Sequence, residues 1–436
     1  MLCVIRDADA RIAVRHTVIP IMHTKLDVAV CGCGPAGLAA ALLLHRSGHR
    51  VRIFERFETP RPVGSGLILQ PTGLGVLAEL GLIERIAALG ARIDRLFGRV
   101  VPSNRVVLDV RYRALGAGWH GLAVHRAALF GVLHDAAVAG GVEVVHGAAI
   151  KSIDRSNTES VFVVLEHGRR IGGFDLVVDA LGANSPLAAG IARRKVLSYG
   201  ALWANVPWPD QQAPSPPNAL EQRYSGCSRM AGVLPIGQRS PGEARQAAFF
   251  WSLRRDQVAA WRSRGLVAWK GDVERLWPQV APLLDSLTDP EQLIFAQYDH
   301  FTARTPFSDR LVHIGDSARA TSPQLGQGAN MALLDALALA RALEAADALS
   351  TGLPAYARMR YWHVRMFQWA SAAFTPFYQS DSRVLPVVRD WFAAPLSRLP
   401  VADMILARLV SGMTTSPLAR SRFSPLRMSA PAGESR

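Results

Sequence analysis

The order of apolar and polar positions divides the chain into readable stretches. Asp27-Val-Ala-Val-Cys31 is a short apolar run and predicts a buried strand. Pro35 to Ser47 is rich in Ala and Leu and predicts a helix, which Gly48 stops. Arg50 to Glu55 predicts a second strand. Strand, helix and strand in that order form a βαβ unit and imply a parallel sheet. A Gly/Pro-rich stretch from Pro60 to Gly75 leads into a helical segment, Leu74 to Leu89. Residues 93–113 alternate as exposed antiparallel strands do, and Arg126 to Ala139 is helical. Val142 to Val145, Ser160 to Glu166 and Asp175 to Val178 predict short strands. From about 189 to 300, loops such as Pro207 to Pro217 alternate with aromatic strands such as Ala247 to Trp251, the texture of a separate β-rich lobe. The βα character returns at Arg310 to Gly315, and a long helix follows from Gln327 to Ala346. Residues 355–413 read as helical and apolar.

Composition narrows the function classes. With 49% hydrophobic and 19% charged residues the chain is globular, and 436 residues imply two lobes or more. The net charge is +14, but the arginines are scattered and no Lys/Arg block marks a nucleic-acid surface. An anionic cofactor or an anionic membrane surface fits that charge better. Cys3, Cys31, Cys33 and Cys227 are too few for a disulfide scaffold, which points to a reducing, cytoplasmic setting. Cys31-Gly-Cys33 lacks the spacing of a zinc site, and no metal is expected. The longest apolar stretch, Leu26 to Leu44, is broken by Gly and Pro and does not read as a membrane span. Residues 1–21, ahead of Met22, carry three arginines and no apolar core, so they read as a dispensable extension rather than a secretory signal.

Two segments carry chemistry. In Gly32-Cys-Gly34-Pro35-Ala36-Gly37, the first glycine permits a sharp turn off a strand. The second lets a pyrophosphate approach the backbone, and the third lets helix and strand pack closely. The helix N-terminus then stabilises phosphate charge. Glu55, 18 positions after Gly37, closes the next strand where an acid binds ribose hydroxyls. Gly116-Ala-Gly118-Trp-His-Gly121 has the same glycine spacing but no helix and no acid behind it, and reads as a loop between strands. The second segment runs from Leu311 to Asn330. Its strand ends at Gly315 and delivers Asp316 to a polar edge, where a carboxylate can accept hydrogen bonds from sugar or ribityl hydroxyls. Gly326-Gln327-Gly328 opens a long helix whose free N–H groups suit the anionic ring edge of a reduced flavin.

Together the two segments resemble the single-component (class A) FAD monooxygenases that hydroxylate aromatic compounds and share the para-hydroxybenzoate-hydroxylase fold. The run Ala320 to Asn330 is most similar to bacterial hydroxylases of quinone biosynthesis. The resemblance covers roughly residues 25–380. It implies an α/β fold: a Rossmann-like FAD-binding domain, an inserted β-rich substrate domain and a helical C-terminal region. The expected boundaries are an N-terminal extension at 1–24, FAD-binding parts at 25–92, 121–188 and 301–350, substrate-domain parts at 93–120 and 189–300, a helical region at 351–416 and a flexible tail at 417–436. By the resemblance, Gly32, Gly34, Pro35, Ala36 and Gly37 bind pyrophosphate, Glu55 and Arg56 the adenosine side, and Arg126 lies beside FAD. Asp316 binds the ribityl chain, and Pro323, Gly326, Gly328, Ala329 and Asn330 adjoin the flavin ring. Trp203, Phe249 and Trp251 are candidate substrate contacts, although core packing explains each of them as well.

The family's activity follows from the cofactor. NAD(P)H reduces FAD, oxygen adds at flavin C4a, and the hydroperoxide hydroxylates an aromatic or lipophilic substrate such as a prenylated phenol or quinone precursor. No side-chain nucleophile is required, so no catalytic residue is assigned. Two departures stand out. Asp179-Ala-Leu181-Gly-Ala-Asn-Ser185 has leucine where the family has an acid serving FAD and the nicotinamide, with Asp179 the nearest substitute. Arg319 stands where the family has histidine. Three readings therefore stay open: a hydroxylase, an FAD reductase or dehydrogenase of the same fold, and a non-catalytic flavin protein. The amphipathic aromatic stretch from Trp362 to Tyr378, with Trp391 to Leu409 behind it, fits a peripheral contact with the inner face of a membrane. The sequence does not fix the oligomeric state.

Overall fold

The computed structural model describes residues 25–428 except 60–63, 210, 212, 394, 396–398 and 420. The extension expected at 1–24 and the end of the tail at 429–436 lie outside the described residues. A six-stranded sheet runs in the order β18 (Phe307–Ser308), β19 (Leu311–His313), β12 (Leu176–Asp179), β1 (Asp27–Cys31), β2 (Arg50–Phe54) and β8 (Glu143–Val145). All its pairings are parallel except β18 with β19. β1 lies at its centre, and Val28 to Cys31 are fully buried, as an apolar run covered on both faces requires. One face carries α1 (Pro35–Arg46), α4 (Arg126–Ala139) and α7 (Gly328–Glu344). The other carries an antiparallel sheet of β9 (Ile150–Asp154), β10 (Val161–Leu165) and β11 (Arg170–Phe174), whose Val161, Val163 and Phe174 pack on Ala29 and Phe54.

α1 and α7 lie side by side and run in the same direction. A β-carbon on Gly315 would sit 3.1 Å from the Ala36 side chain and 3.5 Å from that of Ala332, near the two N-termini. At the far ends Ser47 donates to the Glu344 carboxylate. The alanines of α1 permit this close approach. α2 (Pro71–Glu79) also packs on α7. The single helix expected from Leu74 to Leu89 is two, α2 and α3 (Ile83–Ala87), because Gly81 takes φ +67° and turns the chain.

The second large sheet has eight strands: β20 (Arg319–Ala320), β17 (Ile294–Thr302), β13 (Lys195–Pro207), β16 (Gln246–Arg254), β15 (Arg229–Gly237), β14 (Ala219–Ser225), β5 (Arg95–Val100) and β6 (Arg105–Arg111). Its inner face packs on β3 (Gly66–Leu69), β7 (Gly121–His125) and β4 (Ala91–Ile93), with Ile68, Ala123, Leu234, Ile236 and Ala248 in one cluster. Its outer face is covered by α5 (Val258–Leu276), bent at Gly265, and α6 (Ala281–Leu284). α5 falls inside the stretch expected to be β-rich. Its buried face holds only Trp261, Trp269, Val273 and Leu276, among Arg and Lys, so the helical period is faint in the sequence.

The C-terminal helices are α8 (Leu349–Tyr378), α9 (Leu385–Val388), a π turn at Arg389–Ala393 and α10 (Pro400–Val410). The tail from 417, expected to be flexible, is anchored as far as it is described. Leu418 is fully buried, the Leu426 N–H donates to the Pro71 carbonyl (2.9 Å), and Arg427 Nε donates to the Ala117 carbonyl (2.6 Å).

Asn330 ties these layers together. Its Oδ1 accepts the Gln70 N–H (2.8 Å), and its Nδ2 donates to the carbonyls of Ile68 (3.2 Å) and Gly326 (3.1 Å). Gly73 leaves the space it fills, since a β-carbon there would lie 2.1 Å from Asn330 Oδ1. Asn330→Ala leaves a buried Gln70 N–H without an acceptor and should cost about 2–3 kcal/mol, read as a fall in denaturation midpoint. An unchanged midpoint would mean that water replaces the amide.

Candidate active site

The first glycine loop divides its residues by role. Gly32 has φ +107°, and a β-carbon there would lie 2.5 Å from the Ala180 carbonyl oxygen. One on Gly37 would lie 2.0 Å from the Gly32 oxygen, so the protein's own packing demands both glycines. Gly34 is different. Its φ of −78° suits any residue, and nothing lies within 4 Å of where its β-carbon would be. That leaves open space beside the backbone at the start of α1. Pro35 starts α1 and Ala36 is buried against Gly315. Glu55 follows β2; its Oε2 accepts the Cys33 N–H (2.9 Å) and its Oε1 the Phe57 N–H (3.2 Å). That holds a carboxylate at the rim of the loop. Arg56 is exposed, with its guanidinium 4.7 Å from the Phe57 ring centre.

β19 leads into Gly315, whose φ is +60° and whose N–H donates to Asp335 Oδ2 (2.9 Å). Asp316 comes next. Its side chain is reachable by solvent, yet it sits among dense protein: burial raises its pKa above the ordinary value, while Arg126 and Arg319 pull it back. Arg126, the exposed first residue of α4, is thus within electrostatic reach of Asp316. The chain then forms β20, which pairs with β17 and so joins the eight-stranded sheet to the Asp316 loop. Exposed Pro323 opens a single 3-10 turn, and Gly326 takes φ +60°. Gly328, the first residue of α7, has nothing within 4 Å of a β-carbon position. Ala329 is half-buried. The Asn330 side chain is committed inward, so only its backbone belongs to the helix end.

Two buried networks stand behind these loops. Asp335, in the middle of α7, binds Arg319 through Oδ2 and Arg360 Nε through Oδ1 (2.8 Å), and all three are at most 6% exposed. Burial alone would raise the Asp335 pKa, but Arg319 and then Arg360 outweigh it and hold the group below the ordinary range. His363, 3.1 Å from Arg360 through Nδ1, is pushed down to about 3 by burial and by that arginine. Sequence reading missed Asp335 and Arg360; a lone Asp in the apolar run Met331–Leu343 was the available signal. In the second network Asp179 is fully buried. It accepts the Leu181 N–H (3.1 Å) and the Ser185 hydroxyl (2.8 Å), and lies 2.7 Å from His313 Nδ1. It is therefore spent within the protein and does not stand in for the acid missing at Leu181.

The aromatic candidates part company across the sheet. Phe249 and Trp251 face outward with α5, where Phe249 meets Trp269 edge-on at a centroid distance of 6.0 Å. Trp203 faces inward, where its Nε1 donates to the Tyr298 hydroxyl (2.9 Å) and its ring lies 4.7 Å from Phe250. The period of two explains this: Phe250 takes the inward position between two neighbours that cannot. Gly232 makes room for it, since a β-carbon there would lie 2.0 Å from the Phe250 ring.

The residues fit FAD. An open approach at Gly34, a carboxylate at the rim and a reachable Asp316 lie along the N-termini of two parallel helices, which suits an anionic dinucleotide. Comparison with known proteins agrees. A family model described as an FAD binding domain matches residues 25–366. The aurachin C monooxygenase/isomerase of Stigmatella aurantiaca is 26% identical over 411 residues, 91% of this chain and all of that one. The 6-methylpretetramide 4-monooxygenase of Streptomyces rimosus is 28% identical, covering 92% and 96%. A putative 2-heptyl-3-hydroxy-4(1H)-quinolone synthase, AqdB1 of Rhodococcus erythropolis, is 27% identical, covering 78% and 86%. Among solved structures, 2-methyl-3-hydroxypyridine-5-carboxylic acid oxygenase shares the fold with a TM-score of 0.72 at 20% identity, covering 92% and 99%. With its glycine loop, its Asp316 segment and this match over most of its length, the chain belongs to the FAD-binding family of class A flavin-dependent aromatic hydroxylases.

Proposed function

We propose that the enzyme uses NADH or NADPH and dioxygen to hydroxylate an electron-rich, lipophilic aromatic compound bearing an alkyl or prenyl chain. The observation that carries this is Asp316, reachable by solvent between the starts of α1 and α7, with the eight-stranded sheet tied to its loop through β20. Bound FAD would supply the redox chemistry, accepting a hydride from the nicotinamide and passing electrons to dioxygen, of which one atom enters the substrate and one leaves as water. Gly32, Gly34, Pro35, Ala36 and Gly37 would hold the diphosphate, Glu55 and Arg56 the adenosine side, and Arg126 and Asp316 the ribityl side. Pro323, Gly326, Gly328, Ala329 and the Asn330 backbone would adjoin the ring. Trp203, Phe250 and Tyr298 would wall the substrate pocket, with Phe249 and Trp251 supporting the sheet from behind. The names of the quinolone and aurachin relatives support a lipophilic aromatic substrate. Leu181, with no acid in its place, favours a second reading: a reductase or dehydrogenase of the same fold.

Oxygen uptake by the FAD-loaded protein with NADH or NADPH, over a panel of phenols and alkylquinolones, separates the two. Substrate-stimulated uptake with one labelled oxygen atom in the product is expected. Donor oxidation that leaves no oxygen in any product supports the reductase, and no donor oxidation at all defeats both readings.

Asp316 makes a prediction with a definite sign. Its folded pKa lies above its unfolded one, so its contribution to stability is present at low pH and lost as pH rises through the folded pKa. Asp316→Asn should therefore raise the Tm of the FAD-free protein at neutral pH, leave it unchanged in acid, and weaken FAD binding by about tenfold. A variant that loses Tm at neutral pH contradicts the placement.

The C-terminal surface supports a cytoplasmic enzyme docking on an anionic bilayer. No helix among the described residues is long and apolar enough to cross a membrane. Yet Val384, Val387, Val388 and Trp391 are exposed at helical spacing, and Val401, Met404 and Ile405 are exposed on α10. Asp381 and Asp390 are paired with Arg254 and Arg389, while exposed Arg383 and Arg408 have no acidic partner among the described residues. A second copy on this face would bring those arginines together, which disfavours it. Co-sedimentation with phosphatidylglycerol-containing vesicles, and not with pure phosphatidylcholine, is expected, and Trp391→Ser with Phe392→Ser should weaken it about tenfold. Equal sedimentation of protein and variant, or a dimer that the variant splits, rejects the bilayer.

A further inference from the structure

A cavity of about 490 Å³ lies behind the Asp316 loop, between the chain from Thr302 to Pro306 and the first half of α8. Five of its sixteen lining residues are arginines, and none is Asp or Glu. Arg319 and Arg360 form its floor, and both are held by the buried Asp335. Arg304, Arg358 and Arg365 complete the lining and have no ion-pair partner among the described residues. Trp362, 65% exposed, and Tyr361 add flat apolar surface, with their rings edge to face at 5.1 Å. Arg365 leans over Tyr361 at 5.3 Å.

Three unpaired guanidinium groups around one concavity repel each other, and a bound anion relieves that repulsion more than water and salt do. Arginine forks match phosphate oxygens two at a time, and indole faces stack on bases. The volume suits a small-molecule ligand of nucleotide size. We propose that this cavity binds the diphosphate and base of a nucleotide, separately from the FAD site. Arg304, Arg358 and Arg365 take the phosphates, and Trp362 takes the base. The ligand's charge also acts on Arg319 and Arg360, and through Asp335 on the Gly315 N–H that sets the Asp316 loop. The same chemistry belongs to a free nucleoside diphosphate and to the diphosphate half of NADPH. Nucleotide binding here does not depend on the hydroxylase reading.

The test uses FAD-loaded protein, so that the Gly34 site is already filled. Calorimetric titration with ADP should show one further site. Arg358→Ala with Arg365→Ala should weaken it by about tenfold or more, and Trp362→Ala less, with FAD content unchanged. No ADP binding to the loaded protein, or equal binding by the double variant, overturns the proposal. Steady-state kinetics then separates the sources. A raised KM for NADPH in the double variant identifies the reductant as occupant. An unchanged KM with ADP binding lost identifies a separate nucleotide effector. If no NAD(P)H oxidation occurs in any protein, the hydroxylase reading fails while the ADP titration still decides the site.

Discussion

Two parallel helices present their positive ends to one loop, and most of the site depends on that arrangement. Parallel helix dipoles side by side repel, most strongly where the N-termini meet. Here small residues offset the repulsion: Ala36, Gly315 and Ala332 let α1 and α7 pack around the loop with apolar contact along their length. Negative charge offsets the remainder. Asp335 sits within α7 and binds the Gly315 N–H, and Asp316 stands in front of it. A diphosphate held there, as proposed, would add more of the charge that the two ends require, so that cofactor binding and helix packing would serve the same electrostatic need.

How much of this was legible depended on how local each signal is. Gly32, Gly34 and Gly37 lie within six residues, and their turn, approach and packing roles follow from geometry that short spacing encodes. Asp316 was legible for the same reason, since it ends a strand and precedes a glycine-opened helix. Asn330 was legible only by position. Its side-chain role needs Gln70 and Ile68, some 260 residues away, and no period reveals them. Asp335 and Arg360 belong to two helices whose facing sides are fixed only once α7 and α8 pack. In the β-rich lobe an apolar run with aromatics at 249, 250 and 251 left open which side faced the flavin domain, because a one-residue change of phase exchanges the faces of a strand. The tail misled for a different reason. Its composition is that of a loose segment, but Leu418, Phe423 and Leu426 find apolar partners already assembled on α2 and α8.

The buried polar networks show what the departures from the family pattern mean physically. Asp179 links the strand end at Leu181 to His313 and, through its carbonyl, to the Ser317 hydroxyl (2.6 Å), so it fixes the loops after two strands relative to each other. Arg319 carries charge into the interior, and that charge is tolerated because Asp335 is shared with Arg360. Removing one member would strand the others away from water, whereas the assembled set is satisfied. Arg319, Asp335 and Arg360 are thus best understood as one unit.

The eight-stranded sheet takes β5 and β6 from one stretch of chain and β13 to β17 from another, and closes with β20, which lies between Asp316 and Pro323. Three passes of the polypeptide are therefore interleaved in one surface. For anyone shuffling this gene with its relatives, a single crossover inside the sheet splices strands with different histories into one hydrogen-bonded ladder. Only exchanges that move residues 95–111, 195–302 and 319–320 together carry an intact sheet into a new background. The same interleaving means that no single contiguous module of the sequence carries this sheet.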